Sequence, residues 1–342
     1  MDKILELLMF SSKAVGSIFL VAAAGALLVR LKIISHESLR VLSQLVFFIM
    51  LPCLLFTKVS ASVNLQQLAE YWIFPVSCVI YVAIGILIGM LAVKICHPRK
   101  EIRNGVIAAI AFANTGYLPI PVLVAVTIIF PCFAGSKNAG DEAVALISVF
   151  LMGFSPLLWT VGYSLISGHK IHDVGIKKIF TPPIIGMLLG LVVGICPPFK
   201  KVICDNSGQL NFLFNSASVI AQGTIPCALL LLGGLLANGP VAGTVNKRSI
   251  FTVILTKLII FPIIGIFYVI MLRKLGFLPA NLMAALVLVV EAGSPPANNL
   301  VVMAALSNHD MEQGLATILF WSYLSSIFTL TLVIMTAMWV FG

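Results

Sequence analysis

Apolar runs of membrane-spanning length recur along almost the whole chain, and they leave few folds open to it. Breaking the sequence at charged, polar and Gly/Pro clusters yields runs at 8–29, 41–59, 71–94, 105–130, 143–167, 180–196, 211–237, 250–272, 280–305 and 315–341. A helix needs roughly 20 residues to cross hydrocarbon, whereas a transmembrane strand needs about 10 of alternating polarity. These runs have the helical length and no alternation, so the expected fold is an all-α polytopic membrane protein of ten transmembrane helices. Hydrophobic residues make up 60% of the chain and charged residues 10%, against roughly half and a quarter in soluble domains. A soluble enzyme is excluded, and GxGD, HExxH and GxSG, the signatures an intramembrane or hydrolytic enzyme would need, are lacking.

The formal net charge of +9 sits in short loops between the runs, where it reads as a topology signal and not as a nucleic-acid surface. Twelve Lys and Arg fall on one side and eight on the other, which puts both termini on the non-cytosolic side. The first run leads into Arg30 and Lys32 without a small-residue cleavage pattern, so it is expected to be a retained helix. Seven cysteines lie mostly inside apolar runs and lack CxxC spacing. They read as core residues, with Cys132 and Cys204 a candidate lumenal disulfide. His169 and His172 have an i, i+3 spacing that is more often a surface feature than a metal site, and no metal or cofactor motif is found.

Two of the runs are interrupted. Residues 113–121 read ANTGYLPIP and residues 291–299 read EAGSPPANN; proline removes a backbone donor and clashes with the carbonyl four residues back, so neither run can be one straight helix. The punctuation repeats. Pro52 and Pro226, in LPCLL and IPCAL, are 174 residues apart, Pro119 and Pro295 are 176 apart, and Pro121 and Pro296 are 175 apart. The polar stretch 167–178 lies between two sets of five runs, giving a first five-helix repeat at 1–168, a short cytosolic loop at 169–178 and a second repeat at 179–342. Two copies of an odd number of spans must insert with opposite orientation, which is the pattern of an inverted-repeat secondary transporter.

In that architecture, paired breaks mark the substrate site. Asn114, Asn298 and Asn299 are amides deep in apolar runs that can donate to an anionic oxygen, and they serve equally as caps of the half-helices they adjoin. Gly116 and Gly293 permit close backbone approach; Tyr117, Pro119, Pro121, Pro295 and Pro296 complete the two breaks. Glu291 is ionisable and mid-span, at a cost of about 2.5–3.5 kcal/mol on insertion scales unless it is paired, protonated or wetted. Lys257, inside the eighth run, is its nearest counter-charge or else snorkels to the interface. Glu291 and Lys257 are therefore coupling or counter-charge candidates.

The segments beginning FFIMLPCLLF at Phe47, ANTGYLPIPV at Ala113, GSPPANNLVVMA at Gly293 and FWSYLSSIFTLTL at Phe320 resemble the auxin efflux carrier family, most closely its PIN-LIKES branch. The resemblance implies ten helices in two inverted repeats, similar to bile-acid/sodium symporters, with broken spans four and nine crossing. It implies a dimerising scaffold from spans 1, 2, 6 and 7 and a moving transport domain from the others. It further implies elevator-type transport of a small organic anion such as indole-3-acetate, without sodium or proton coupling, in the lipid of the endoplasmic reticulum membrane or else the plasma membrane. By motif position, Asn114 matches the crossover Asn that meets the substrate carboxylate, Pro119 and Pro295 or Pro296 match the crossover prolines, and Asn298 matches the second crossover amide. Tyr117 departs from the family, which usually has Asn there. The alternatives are a proton- or sodium-coupled carboxylate symporter and a membrane receptor for such a ligand.

Overall fold

The computed structural model describes residues 2–62, 69–136, 138–168, 180–237, 239–240, 243–305 and 309–342. The protein is an all-helical, polytopic integral membrane protein. Along the chain run α1 (Asp2–Arg30), α2 (Glu37–Ala61), α3 (Ile73–Cys96), α4 (Arg103–Ala111), α5 (Pro119–Ile129), α6 (Ala139–Ser167) and α7 (Pro182–Ile195). They continue with α8 (Pro197–Ile203), α9 (Asn211–Leu236), α10 (Lys247–Lys274), α11 (Leu282–Gly293), α12 (Asn299–Ala305) and α13 (His309–Phe341).

Among the described residues, seven helices are long and apolar enough to cross a membrane, or eight if the bent pair α7–α8 is one span. Two of the ten expected runs, four and nine, are broken as their prolines require, and run six departs from the single straight span expected of it, each with a local cause. Runs four and nine are split, into α4 with α5 and α11 with α12, because both unwind around their Gly/Pro segments. Run six ends at Cys196, where the backbone is extended ahead of Pro197 and the chain bends by 108° into α8. All seven cysteines are free, so the Cys132–Cys204 disulfide does not form. The loop 169–178, with His169 and His172, lies outside the described residues.

Three long helices contain a π-helical turn, at Val46–Met50 in α2, Leu158–Gly162 in α6 and Thr256–Ile260 in α10. Each adjoins a proline: Pro52, Pro156 or Pro262. The carbonyls four residues before Pro52 and Pro262 belong to Phe48 and Leu258, inside the widened turns, where the extra residue gives the ring room that a regular helix would deny it. Lys257 is placed by this turn.

Helix α1 packs along the second half of α9, and α7 along the second half of α2. Both contacts are backbone-close. A Cβ at Gly233 would fall on the Ala22 carbonyl, and one at Gly186 on the Pro52 carbonyl, so small residues let the helices approach as membrane packing requires. The short helices are at the centre: every residue of α11 from Met283 to Gly293 and of α4 from Gly105 to Ala111 is buried. Glu291 apart, these buried stretches are apolar all round, unlike the one-sided pattern of a surface helix, as enclosure by α3, α6, α10 and α13 demands.

Candidate functional site at the crossing of two broken helices

Helix α4 stops at Ala111, and Phe112 turns into extended backbone. The next residues lie antiparallel to the segment after α11. The Asn114 N–H donates to the Pro295 carbonyl at 2.7 Å, and the Ala297 N–H donates to the Phe112 carbonyl at 2.9 Å, pairing Ala113 with Pro296. Unpaired backbone groups in hydrocarbon cost several kcal/mol each, so two unwound segments at membrane depth are mutually stabilising where either alone would not be. The chain re-enters helix at Pro119, the first residue of α5, a position where the missing N–H is no loss. The break therefore lies before the prolines, in residues 112–118.

Asn114 holds this turn. Its Oδ1 accepts from the N–H groups of Gly116 (3.2 Å) and Tyr117 (3.0 Å), and its Nδ2 donates to the Tyr323 hydroxyl at 2.6 Å. Tyr323 in turn donates to the Pro296 carbonyl at 3.3 Å, so one side chain of α13 links both crossing segments. The expectation that the crossover amides also cap their surroundings thus describes Asn114 well. Of its two amide hydrogens, one remains for a ligand.

Two cavities flank the crossing. The first, with a volume of about 60 Å³, contains Asn114, Gly116, Tyr117, Asn298 and Asn299 in its lining, so the structure brings these five predicted residues together. Its far wall is aromatic, with Phe47 from α2 and Phe154 and Trp159 from α6, and no charged residue lines it among those described. The side-chain amides of Asn298 and Asn299 hydrogen-bond to no described residue. The volume accommodates several waters.

The second cavity, of about 10 Å³, is lined by Glu291 and Lys257 together with Cys78, Tyr81, Thr115 and Phe261. Glu291 and Lys257 are each 1% exposed. Lys257 does not snorkel: its ammonium lies over the Phe261 ring at 4.3 Å. Nor does it close an ion pair with Glu291, both of whose carboxylate oxygens are buried without a hydrogen-bond partner. Ala113, Thr115 and Phe154 line both cavities, so the crossing backbone forms the partition.

The remaining predicted residues shape the crossing without lining either cavity. Pro119 and Pro121 are buried in the first turn of α5, Gly293 packs against Val333 and Pro262, and Pro295 and Pro296 contribute carbonyls. Thr115, Tyr323, Phe47 and Trp159 were not singled out as site residues from sequence. Thr115 sits inside ANTGYLPIP and Tyr323 inside FWSYLSSIF, so motif membership was available as a signal for both; nothing local distinguishes Phe47 or Trp159 from ordinary membrane aromatics.

A family profile described as Membrane transport protein matches residues 10–173 and 169–334. Protein PIN-LIKES 7 of Arabidopsis thaliana is 27% identical over 390 residues, covering 96% of each chain, and Protein PIN-LIKES 5 of the same plant is 25% identical over 95% of this chain and 96% of that one. An uncharacterized transporter of Schizosaccharomyces pombe, C5D6.04, is 28% identical over 46% of this chain and 36% of its own length.

Proposed function

Because the chain belongs to the membrane transport protein family, we propose that it is a secondary transporter of a small organic monoanion, which docks in the larger cavity beside the crossing. The carrying observation is the pair of unpartnered amides, Asn298 and Asn299, facing a charge-free pocket with an aromatic wall. A carboxylate takes hydrogen bonds from these amides and the spare Asn114 hydrogen, and it benefits from the positive end of α5. Phe47, Phe154 and Trp159 suit a flat apolar body, so an aromatic acid of the indole-3-acetate kind fits better than a dicarboxylate, which would bring a second charge to an uncharged pocket.

The transport cycle we infer is an elevator-type motion of an inverted repeat. Runs 1, 2, 6 and 7, here α1, α2, α7 with α8, and α9, form a dimerising scaffold, and the other runs form the moving unit. A contact between repeat-related residues supports the symmetry: the Thr224 hydroxyl donates to the Met50 carbonyl at 3.0 Å, a separation of 174 residues, and equivalent positions meet at a two-fold axis. The membrane in this reading is that of the endoplasmic reticulum.

The test is counterflow of radiolabelled indole-3-acetate and malonate in proteoliposomes, comparing wild type with the Asn298→Ala/Asn299→Ala double variant. Exchange of the aromatic acid in preference to malonate, weakened by the double variant, is expected. Equal flux in both proteins would reject the site. Binding of the acid without flux would make the protein a receptor.

A further inference from the structure

Among the described residues, the buried carboxylate that the crossing does not account for is Glu291. Its two oxygens have no hydrogen-bond partner, although a bare buried carboxylate costs several kcal/mol. The charges that face it decide what it can do. Helix α3 presents Cys78 and Tyr81; α10 presents Lys257, with Tyr268 behind at 5.3 Å from the Tyr81 ring; α6 presents the rings of Phe150 and Phe154, and α4 presents Ala111. Helix α5 contains no titratable residue, and Tyr323 of α13 is engaged by Asn114 and Pro296. Lys257 is thus the sole fixed charge lining the cavity with Glu291, and its ammonium is held on Phe261 and not on the carboxylate. About 10 Å³ is the space of a single water, and the Lys257 ammonium in the lining disfavours a metal cation beside it by like-charge repulsion.

We propose that the Glu291–Lys257 cavity is a proton-binding site that makes transport of the monoanion an electroneutral, one-to-one symport with a proton. This rests on the transport reading above. The empty moving unit contains Glu291 as carboxylate and Lys257 as ammonium, with no net charge. When the monoanion enters the neighbouring cavity, Glu291 takes one proton from water on that side and becomes a carboxylic acid. Lys257 stays protonated, and its positive charge balances the anion across the partition. After the unit moves, the anion leaves, and the same proton leaves Glu291 to water on the other side. Loaded and empty units then both cross with zero net charge, which avoids moving an uncompensated charge through a low-dielectric interior. Thr115, which lines both cavities, is the hydroxyl placed to sense both occupants.

The test uses the full chain in proteoliposomes with indole-3-acetate, with protein-free liposome flux subtracted. With no pH difference, a valinomycin-imposed potential of about 60 mV would change accumulation of a singly charged uniported anion about tenfold; wild type is expected to show no change, and its initial uptake is expected to rise with an outside-acid pH gradient. Glu291→Gln fixes the cavity at one positive charge, so the loaded unit stays neutral and the empty one does not. Counterflow, which needs only the loaded form to move, is expected to persist, while net uptake loses its response to pH and becomes voltage-dependent. Lys257→Met leaves the anion unbalanced and is also expected to become voltage-dependent. Wild-type uptake that follows voltage and ignores pH, or a Glu291→Gln protein that keeps its pH response, would overturn the proposal while leaving the transport reading intact. Failure of every acid to exchange in wild type would overturn both.

Discussion

One face of the crossed segments has three amides and an aromatic wall around about 60 Å³; the other has a carboxylate and an ammonium around about 10 Å³. Both faces share Ala113 and Thr115, so they differ through what the surrounding helices bring and not through the backbone between them. On the wider side α2 and α6 supply rings and leave the amides unpaired, which suits a ligand that arrives with its own charge. On the tighter side α10 supplies a lysine from a π-helical turn, so the charges are covalently built in and no large guest fits. In the proposed cycle one unwound crossing serves two occupants of different size, with the lysine standing in where a free cation would otherwise be needed.

The substitution expected to damage both faces most is Asn114→Ala. It strips two backbone N–H groups and the Tyr323 hydroxyl of their partner at once, and each buried group left unpaired costs about 1–3 kcal/mol. Uptake is expected to fall by more than about fiftyfold together with the thermal midpoint in detergent; a stable, active variant would show that the turn does not depend on this side chain. Next is Tyr323→Phe, which keeps the ring but removes the link to Asn114 and the Pro296 carbonyl. The two hydrogen bonds contribute about 1 kcal/mol each, together roughly a thirtyfold change in uptake, and double-mutant analysis with Asn114→Ala should show that the two effects do not add.

A smaller and more selective effect is expected from Asn298→Ala, since that amide has no partner among the described residues. KM for the aromatic acid should rise about three- to tenfold with stability unchanged, and a matching loss of thermal stability would make Asn298 a structural residue instead. The least effect is expected from Lys58→Ala. Lys58 reaches Asp141 at 2.5 Å between α2 and α6, but the side chains are 33% and 41% exposed, and ion pairs this accessible contribute about 0–1 kcal/mol. Less than a twofold change in uptake would sharpen the contrast between a wetted charge pair and the buried pair behind the crossing.

Much of the crossing was legible in advance. ANTGYLPIP and EAGSPPANN stand out because proline and glycine inside an apolar run have no bland explanation in hydrocarbon, and five of the residues so marked line one cavity. Less legible was where the helix breaks, because Pro119 favours a helix start as much as it opposes a helix interior; the chain unwinds at Phe112 and resumes at the proline. Asn114 was expected to face substrate, yet most of its hydrogen-bonding capacity is used on Gly116, Tyr117 and Tyr323. The last of these lies 209 residues away, beyond the reach of any local pattern. Run six read as one span because hydropathy does not register a 108° turn at Cys196.

By itself the sequence determined that this chain lives in a bilayer as helices, that two of its runs are broken near equivalent places, and that Glu291 lies mid-span where charge is expensive. These follow from one-dimensional quantities: apolar length, proline position and the hydration of ionisable groups. Only the tertiary structure decided that the two breaks pair with each other, that the amides and the charges fall on opposite sides of that pairing, and that Lys257 rests on Phe261 and not on Glu291. Those outcomes depend on which helices enclose the crossing and how closely small residues let them approach, and such distances are set by packing between segments far apart in the chain.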